Sequence, residues 1–300
     1  MTNNIGPFEL VDPLPTLNQP RMLVALQPWV DVGSVATMTL AYLGEAMNAQ
    51  PLGHLARPGR YFDFTRYRPM LTRENGQRLV TLPNTHLHSA TSPEGDWIFL
   101  HSLEPHNNGD EFVEGLIELV VKLHVTEYVL IGSMYAPVPH TRAAPVSGGS
   151  SSEAMQQKLC AAGVRESNYE GPTTVLAMLG AAVPAEGIET ASVILQLPAY
   201  AQVERDYMGL QAMLELMHNL YGFEVDMAPV REEADRQRQA LDETASEDPR
   251  LQVWLKELEQ SYDREMKLLP SPEGSEEPQT QLSPELEKFL REVEGRWSES

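Results

Sequence analysis

The stretch DWIFLHSLEPHNNGDEFVEGLIELVVKLHVTEYVLIGSM, residues 96–134, decides the fold class. Trp97–Leu100 is a short, nearly continuous apolar run, the pattern of a strand covered on both faces. From Asp110 to Leu123 the period changes. Phe112, Val113, Leu116, Leu119, Val120 and Leu123 then share one broad helical face. Tyr128–Ile131 follows as another buried strand. Strand, helix and strand in this order form a crossover unit, which favours parallel pairing.

The same alternation continues outward. RMLVALQ, Arg21–Gln27, reads as an earlier core strand ended by Pro28 and Trp29. A helix is expected over Val32–Asn48, with Asp31 or Ser34 as its cap. Ala191–Leu197 reads as a fourth core strand and Val203–Tyr221 as an amphipathic helix. Between these units the text is more broken. Glu74–Gly76 is a hairpin signal, because Asn75 and Gly76 tolerate positive φ, and RLVTLP and THLHSAT read as strands. The Pro-rich opening is expected to lie over the surface, and residues 136–150 to form a long loop. A capping pattern at Ser150 or Ser152 opens one further helix, and TTVLAMLGAAVPAEG supplies another.

After Val225 the texture becomes acidic and helical. Two helices are expected, joined near Ser246–Pro249, with Leu251, Trp254, Leu255, Leu258 and Tyr262 as an apolar stripe. The expected organisation is an α/β domain over residues 1–228 and an acidic helical extension over 229–269. A flexible linker with a short terminal helix follows over 270–300.

Composition excludes several classes of function. The chain carries 43 acidic and 22 basic side chains, a formal charge of -21 that repels nucleic-acid backbones. The acid is spread out: residues 231–300 hold 19 Asp/Glu and 10 Lys/Arg, a net of -9, which leaves -12 for the rest. No apolar run is long enough to span a membrane, and the first residues lack the basic start and apolar core of a secretory signal. The single cysteine, Cys160, excludes an intramolecular disulfide; a reducing, cytoplasmic setting is expected.

Ligands in doubly covered sheets sit beyond the carboxyl ends of strands. That rule selects Glu104 and His106 after the Trp97 strand, and VPHTR after the Tyr128 strand. In VPHTR, His140, Thr141 and Arg142 place a proton carrier, a hydroxyl and a fixed cation together, which suits an anion or carboxylate. In YEGPT, Tyr169 and Glu170 precede a Gly-Pro turn, and Thr173 opens a helix whose first amides suit an anion. The competing reading is architectural: Arg142 pairs with Glu170 or Glu104 and pins two loops. YFDFTRYRPM sets Asp63, Arg66 and Arg68 among aromatic rings, as on an inter-subunit surface, a pocket rim or a solvated strand edge. His86 and His88 alternate on one strand, but no HExxH or cysteine ligand accompanies them, so no metal is expected. No GxSxG, phosphate loop or dinucleotide fingerprint occurs, so no catalytic residue and no cofactor are assigned.

The ordered set YFDFTRYRP, LEP, VPHTR and YEGPT resembles the PAC2 family of proteasome-assembly-chaperone-like proteins, in particular its bacterial branch, over roughly residues 20 to 265. The resemblance implies a three-layer α/β/α sandwich with a mostly parallel central sheet, related in shape to nucleoside phosphorylases and peptidyl-tRNA hydrolase-like folds, and a C-terminal helical extension. It carries over Asp63, Arg68, Pro69, Glu104, Pro105, Pro139, His140, Thr141, Arg142, Tyr169, Glu170, Gly171, Pro172 and Thr173; the chain departs from the family pattern at His106–Gly109. It also implies a homo-oligomer, with a trimer as the expected form.

Two functions are therefore weighed. One is a non-catalytic interaction or assembly factor, in which the motif residues stiffen the loops that meet a partner. The other is an enzyme or binder of a small anionic or nucleoside-like ligand. There Arg142 and the amides near Thr173 would hold an anion, Glu104 or Glu170 would contact ribose or base, and His140 would move a proton. The second requires all these groups to converge on one open pocket.

Overall fold

The structure, a computed structural model, describes residues 3–268. In chain order the elements are β1 (Asn3–Ile5), β2 (Phe8–Leu10), β3 (Arg21–Gln27), α1 (Val35–Ala46), β4 (Gln50–Leu55), β5 (Met70–Glu74), β6 (Gln77–Thr81) and β7 (His86–Ala90). Next come β8 (Trp97–Leu103), α2 (Gly109–Lys122), β9 (Glu127–Ala136), β10 (Val146–Ser150), α3 (Glu153–Ala161), β11 (Arg165–Glu166) and α4 (Val175–Ala182). The last are β12 (Glu189–Pro198), α5 (Tyr207–Tyr221), α6 (Ala228–Glu247) and α7 (Pro249–Leu268). The expected linker and terminal helix of 270–300 lie outside the described residues.

Ten strands form one sheet in the order β1-β2-β4-β7-β8-β3-β9-β12-β10-β11, and β5-β6 stand apart as a separate hairpin. The expectation of a mostly parallel sheet holds for the centre and for one edge pair, β10 with β11. β8, β3, β9 and β12 run parallel, whereas β1, β2, β4 and β7 on one side, and β10 on the other, pair antiparallel. The physical reason is connection length. Parallel neighbours need crossovers long enough to return the chain to the same end of the sheet, and α3 supplies that return even at the β10-β11 edge.

Helices cover both faces. α2 and α4 bring Phe112, Leu116, Leu119, Leu176 and Leu179 against Val24, Ile98, Leu100 and Tyr128. On the other face Leu40 and Leu43 of α1 and Leu210, Met213 and Met217 of α5 meet Leu23, Phe99, Val129, Ile131 and Leu195. Continuous apolar runs in the central strands are what two covered faces require.

Several local expectations are corrected. The Pro-rich opening is not mere surface covering: β1 and β2 extend the sheet and bury Phe8 completely. Residues 136–150 are not all loop, since Val146–Ser150 pairs antiparallel with β12. The Val203 helix starts at Tyr207, where the buried Asp206 carboxylate accepts the Gly209 N–H at 2.7 Å. α1 starts at Val35; the carboxylate that accepts its first amides is Asp31, from Ala36 N–H at 2.7 Å, while Ser34 makes no side-chain cap. Within YFDFTRYRPM only Met70 enters a strand, β5; the stretch 61–69 is not a strand edge. It is a turn whose Tyr61 and Phe62 rings are buried against Phe112.

Candidate functional site

β9 carries the chain past the end of the sheet and delivers His140, which is 3% exposed. Its ring is fixed at both nitrogens. Nε2 lies 3.2 Å from Asp242 Oδ1 of α6, and Nδ1 lies 2.6 Å from Tyr200 Oη, just after β12. A carboxylate only accepts, so Nε2 carries the proton and Nδ1 accepts the tyrosine O–H. The same Tyr200 oxygen accepts the His140 backbone N–H at 2.8 Å. Burial pushes the Tyr200 hydroxyl up to about 12, so it stays a donor.

The next two residues turn to α7. Thr141 Oγ1 donates to Glu259 Oε1 at 2.6 Å. Arg142 meets Asp263 in a two-point pairing, Nε to Oδ1 at 3.0 Å and Nη2 to Oδ2 at 3.1 Å, and its Nη1 reaches Glu259 Oε1 at 3.2 Å. The hydrogen bonds it donates to Asp263 raise the guanidinium above its ordinary range, ahead of the nearby charges of Asp263 and Glu259. Glu259 and Asp263 are four residues apart, hence on one face of α7, which is why a single arginine engages both. Farther along, Arg165 pairs with Glu265 at 3.3 Å. Of the expected apolar stripe on α7, Leu258 is buried and Leu251, Trp254, Leu255 and Tyr262 are half-buried, so the helix packs on its apolar face as well as through these ion pairs.

Arg142 therefore does not pair with Glu170 or Glu104, and the expected residues do not form one cluster. Glu104 lies toward α4. Its Oε1 accepts the Val175 N–H at 3.4 Å, its Oε2 is buried with no partner among the described residues, and burial raises its pKa. Beside it, Tyr67 Oη donates to the Glu104 carbonyl at 3.2 Å, and His106 packs on the Tyr67 ring at 4.6 Å between centroids. His106 Nδ1 accepts the Asp63 N–H at 3.2 Å. Asp63 itself accepts from Thr65 N–H at 2.8 Å, which draws its carboxyl below the usual range, and it makes no ion pair with the exposed Arg68 among the described residues. Tyr169, Glu170 and Thr173 form an exposed third group. Tyr169 Oη donates to the Pro172 carbonyl at 3.1 Å, and the helix cap is Thr174, not Thr173.

A cleft of about 470 Å³ opens beside the first group, lined among others by Val138, His140, Arg142, Asp206 and Leu241. None of Glu104, Glu170 or Thr173 lines it. The strand histidines lie elsewhere: His54, His86 and His101 stand in one cross-strand row, and no group of three or more metal-ligating side chains is arranged to hold an ion among the described residues. Sequence reasoning placed Tyr200 at the end of the fourth core strand without a role, and missed Asp242, Glu259 and Asp263. The acids carry no local signal, since each looks like one more carboxylate on a solvated helix.

These observations define a mixed α/β protein, with a large sheet between helices, whose loop after β9 engages its own C-terminal helices. The PAC2 family model matches residues 25–245, and the chain belongs to the PAC2 family. Among solved structures, a Mycobacterium tuberculosis protein of unknown function, Rv2714, is similar at 21% identity and TM-score 0.76, over 89% of this chain and 94% of that one. The M. tuberculosis proteasome-assembly chaperone homologue Rv2125 is similar at 26% identity and TM-score 0.68, over 78% and 99%. Pyrococcus furiosus PbaB, an archaeal proteasome activator, shares the fold at 17% identity and TM-score 0.63, over 79% and 97%. Comparison with curated proteins gives no match. No helix among the described residues is long and apolar enough to cross a membrane.

Proposed function

We propose that this chain is a non-catalytic assembly or protein-interaction factor that acts in the cytoplasm as a homo-oligomer, without cofactor or metal. One observation carries the reading: His140, Thr141 and Arg142, the group best suited to a ligand, are engaged by Asp242, Glu259 and Asp263 of the chain's own helices. Their chemistry then serves to fix α6 and α7 as a presenting surface on an α/β body over residues 1–228, with 229–269 as the helical extension. Family membership and the likeness to a chaperone homologue and a proteasome activator point the same way. A trimer is the form we favour. The nucleoside-like reading lacks support because its groups do not line one pocket.

Native mass spectrometry of the gently isolated protein tests this. A protein assembly is expected, with no retained small molecule in wild type or in Arg142→Ala. A small retained species that disappears in that variant would overturn the proposal.

A further inference from the structure

One side of β12 lacks a helix. Along this strand Ala191, Val193 and Leu195 are buried on the α1 and α5 side, while Thr190, Ser192, Ile194 and Gln196 between them are only half-buried. Such alternation marks a strand covered on one face. The register carries the uncovered face outward. Ser192 lies opposite Gly149 and Ile194 opposite Ser147 of β10, and Ser147 lies opposite Arg165 of β11. On this side α4 is packed over β9, where Tyr128 Oη donates to the Leu176 carbonyl at 2.8 Å. Between α4 and β10 a groove of about 400 Å³ opens, lined among others by Tyr128, Leu130, Gly149, Leu176, Thr190 and Ser192. Neighbouring strands lie about 4.8 Å apart, so β12, β10 and β11 expose a strip about 10 Å across, the width of one helix.

α7 brings the chain to this strip. Arg165 belongs to the strip's face by register, and its Nη1 lies 3.3 Å from Glu265 Oε2 and its Nη2 2.9 Å from Met266 Sδ. α7 ends at Leu268, within one turn of that contact. The sequence beyond it contains one stretch of helical period. Leu286, Phe289, Leu290, Val293 and Trp297 recur at i, i+3, i+4, i+7 and i+11. Ser283 and Pro284 ahead of them suit an N-cap and a first helical position. The intervening residues 269–283 can bridge at most about 50 Å, more than the roughly 33 Å length of a ten-residue strand such as β12.

We infer that residues 284–297 dock as a helix on the β12-β10-β11 strip of the same chain, with Leu286, Phe289, Leu290 and Val293 turned toward the groove beside α4. Three observations select this occupant: the place where the chain leaves α7, the one-helix width of the strip, and an apolar stripe of matching period within reach. The helix completes the layer that α2 and α4 begin. It also keeps the strip from any other partner until it leaves, so the contact is a cover that opens in cis.

Crosslinking in the full chain tests this. Cys160→Ser removes the native thiol, and Ala181→Cys on the exposed rim of the groove is combined with Glu292→Cys, which leaves the apolar stripe intact. A short bismaleimide is expected to join the two thiols within one chain, so that denaturing mass spectrometry reads a mass near one chain's 33.5 kDa. A tethered but undocked segment also meets the rim by chance, so the control is the same chain with Phe289→Ser/Leu290→Ser. Those changes are expected to slow the crosslink several-fold and to speed hydrogen exchange over 175–182, while α5 keeps its protection. A doubled mass would place the segment on a second copy and overturn the inference. Equal crosslinking rates with and without the serine changes would overturn it as well.

Discussion

Arg142 and Asp263 lie 121 residues apart in sequence and meet in a two-point ion pair at 3.0 and 3.1 Å. The planar fork of arginine matches a carboxylate in this geometry, which a lysine would not reproduce. With Glu259 on the same arginine, the pairing ties α7 to the loop after β9.

Arg142→Ala is therefore expected to loosen α7 without unfolding the sheet. Hydrogen exchange over residues 249–268 should rise several-fold, and protease cuts should concentrate there. High salt should produce the same pattern in wild type, because partly exposed ion pairs are screened. Unchanged protection of α7 in the variant would assign its docking to Leu258 and its apolar neighbours instead.

Tyr200→Phe attacks the other half of the clamp. The variant leaves His140 Nδ1 and the His140 backbone N–H without their shared partner in a nearly closed site. An unmet buried polar group costs about 1–3 kcal/mol, so urea denaturation should show a loss of that order with little change in slope.

Acid and base pull stability in opposite directions at two buried groups. Burial raises Asp31 to about 6, against its hydrogen bonds from Thr37 and Ala36. Its folded pKa exceeds the unfolded value near 3.9, so its contribution is complete below about pH 4 and is lost as pH rises through 6, roughly 2–3 kcal/mol in all. Burial lowers His101 to about 4, helped by the charges of His88 and His86. Its contribution is complete above about pH 6.5 and is lost as pH falls through 4. Unfolding free energies from pH 3.5 to 7 should separate them: Asp31→Asn removes the fall toward neutrality, and His101→Gln removes the fall toward acid. Parallel profiles for wild type and either variant would contradict the assignment.

The central sheet was legible because β3, β8, β9 and β12 are apolar runs separated by helices of the right period. The edges were not. β1 and β2 have three residues each, too few for a period, and β10 reads VSGGS, with nothing apolar between Val146 and the next helix. Of the site, the HTR loop was visible as chemistry, but its partners were not. Asp242, Glu259 and Asp263 are more than 100 residues away, and a carboxylate that grips an arginine looks in sequence like one that faces water.

The glycines that hid β10 give the last prediction. Gly148 lies opposite Val193 of β12, and a Cβ there would sit 2.0 Å from the Ser192 carbonyl oxygen. That obstacle is backbone of the neighbouring strand, so no side-chain rotation relieves it, and β10 would have to move off β12. Gly149 is the neighbouring control: its nearest obstacle is Gln156 Oε1 at 3.8 Å, an ordinary contact. Overpacking a closely packed site costs about 1–3 kcal/mol, whereas a substitution without a clash stays within about 0.5 kcal/mol. Thermal unfolding should thus show Gly148→Ala clearly destabilised and Gly149→Ala close to wild type. Because β10 leads directly out of the loop bearing Arg142, Gly148→Ala should also speed hydrogen exchange in α7. Equal stability of the two alanine variants would mean that β10 does not pair with β12 in this register.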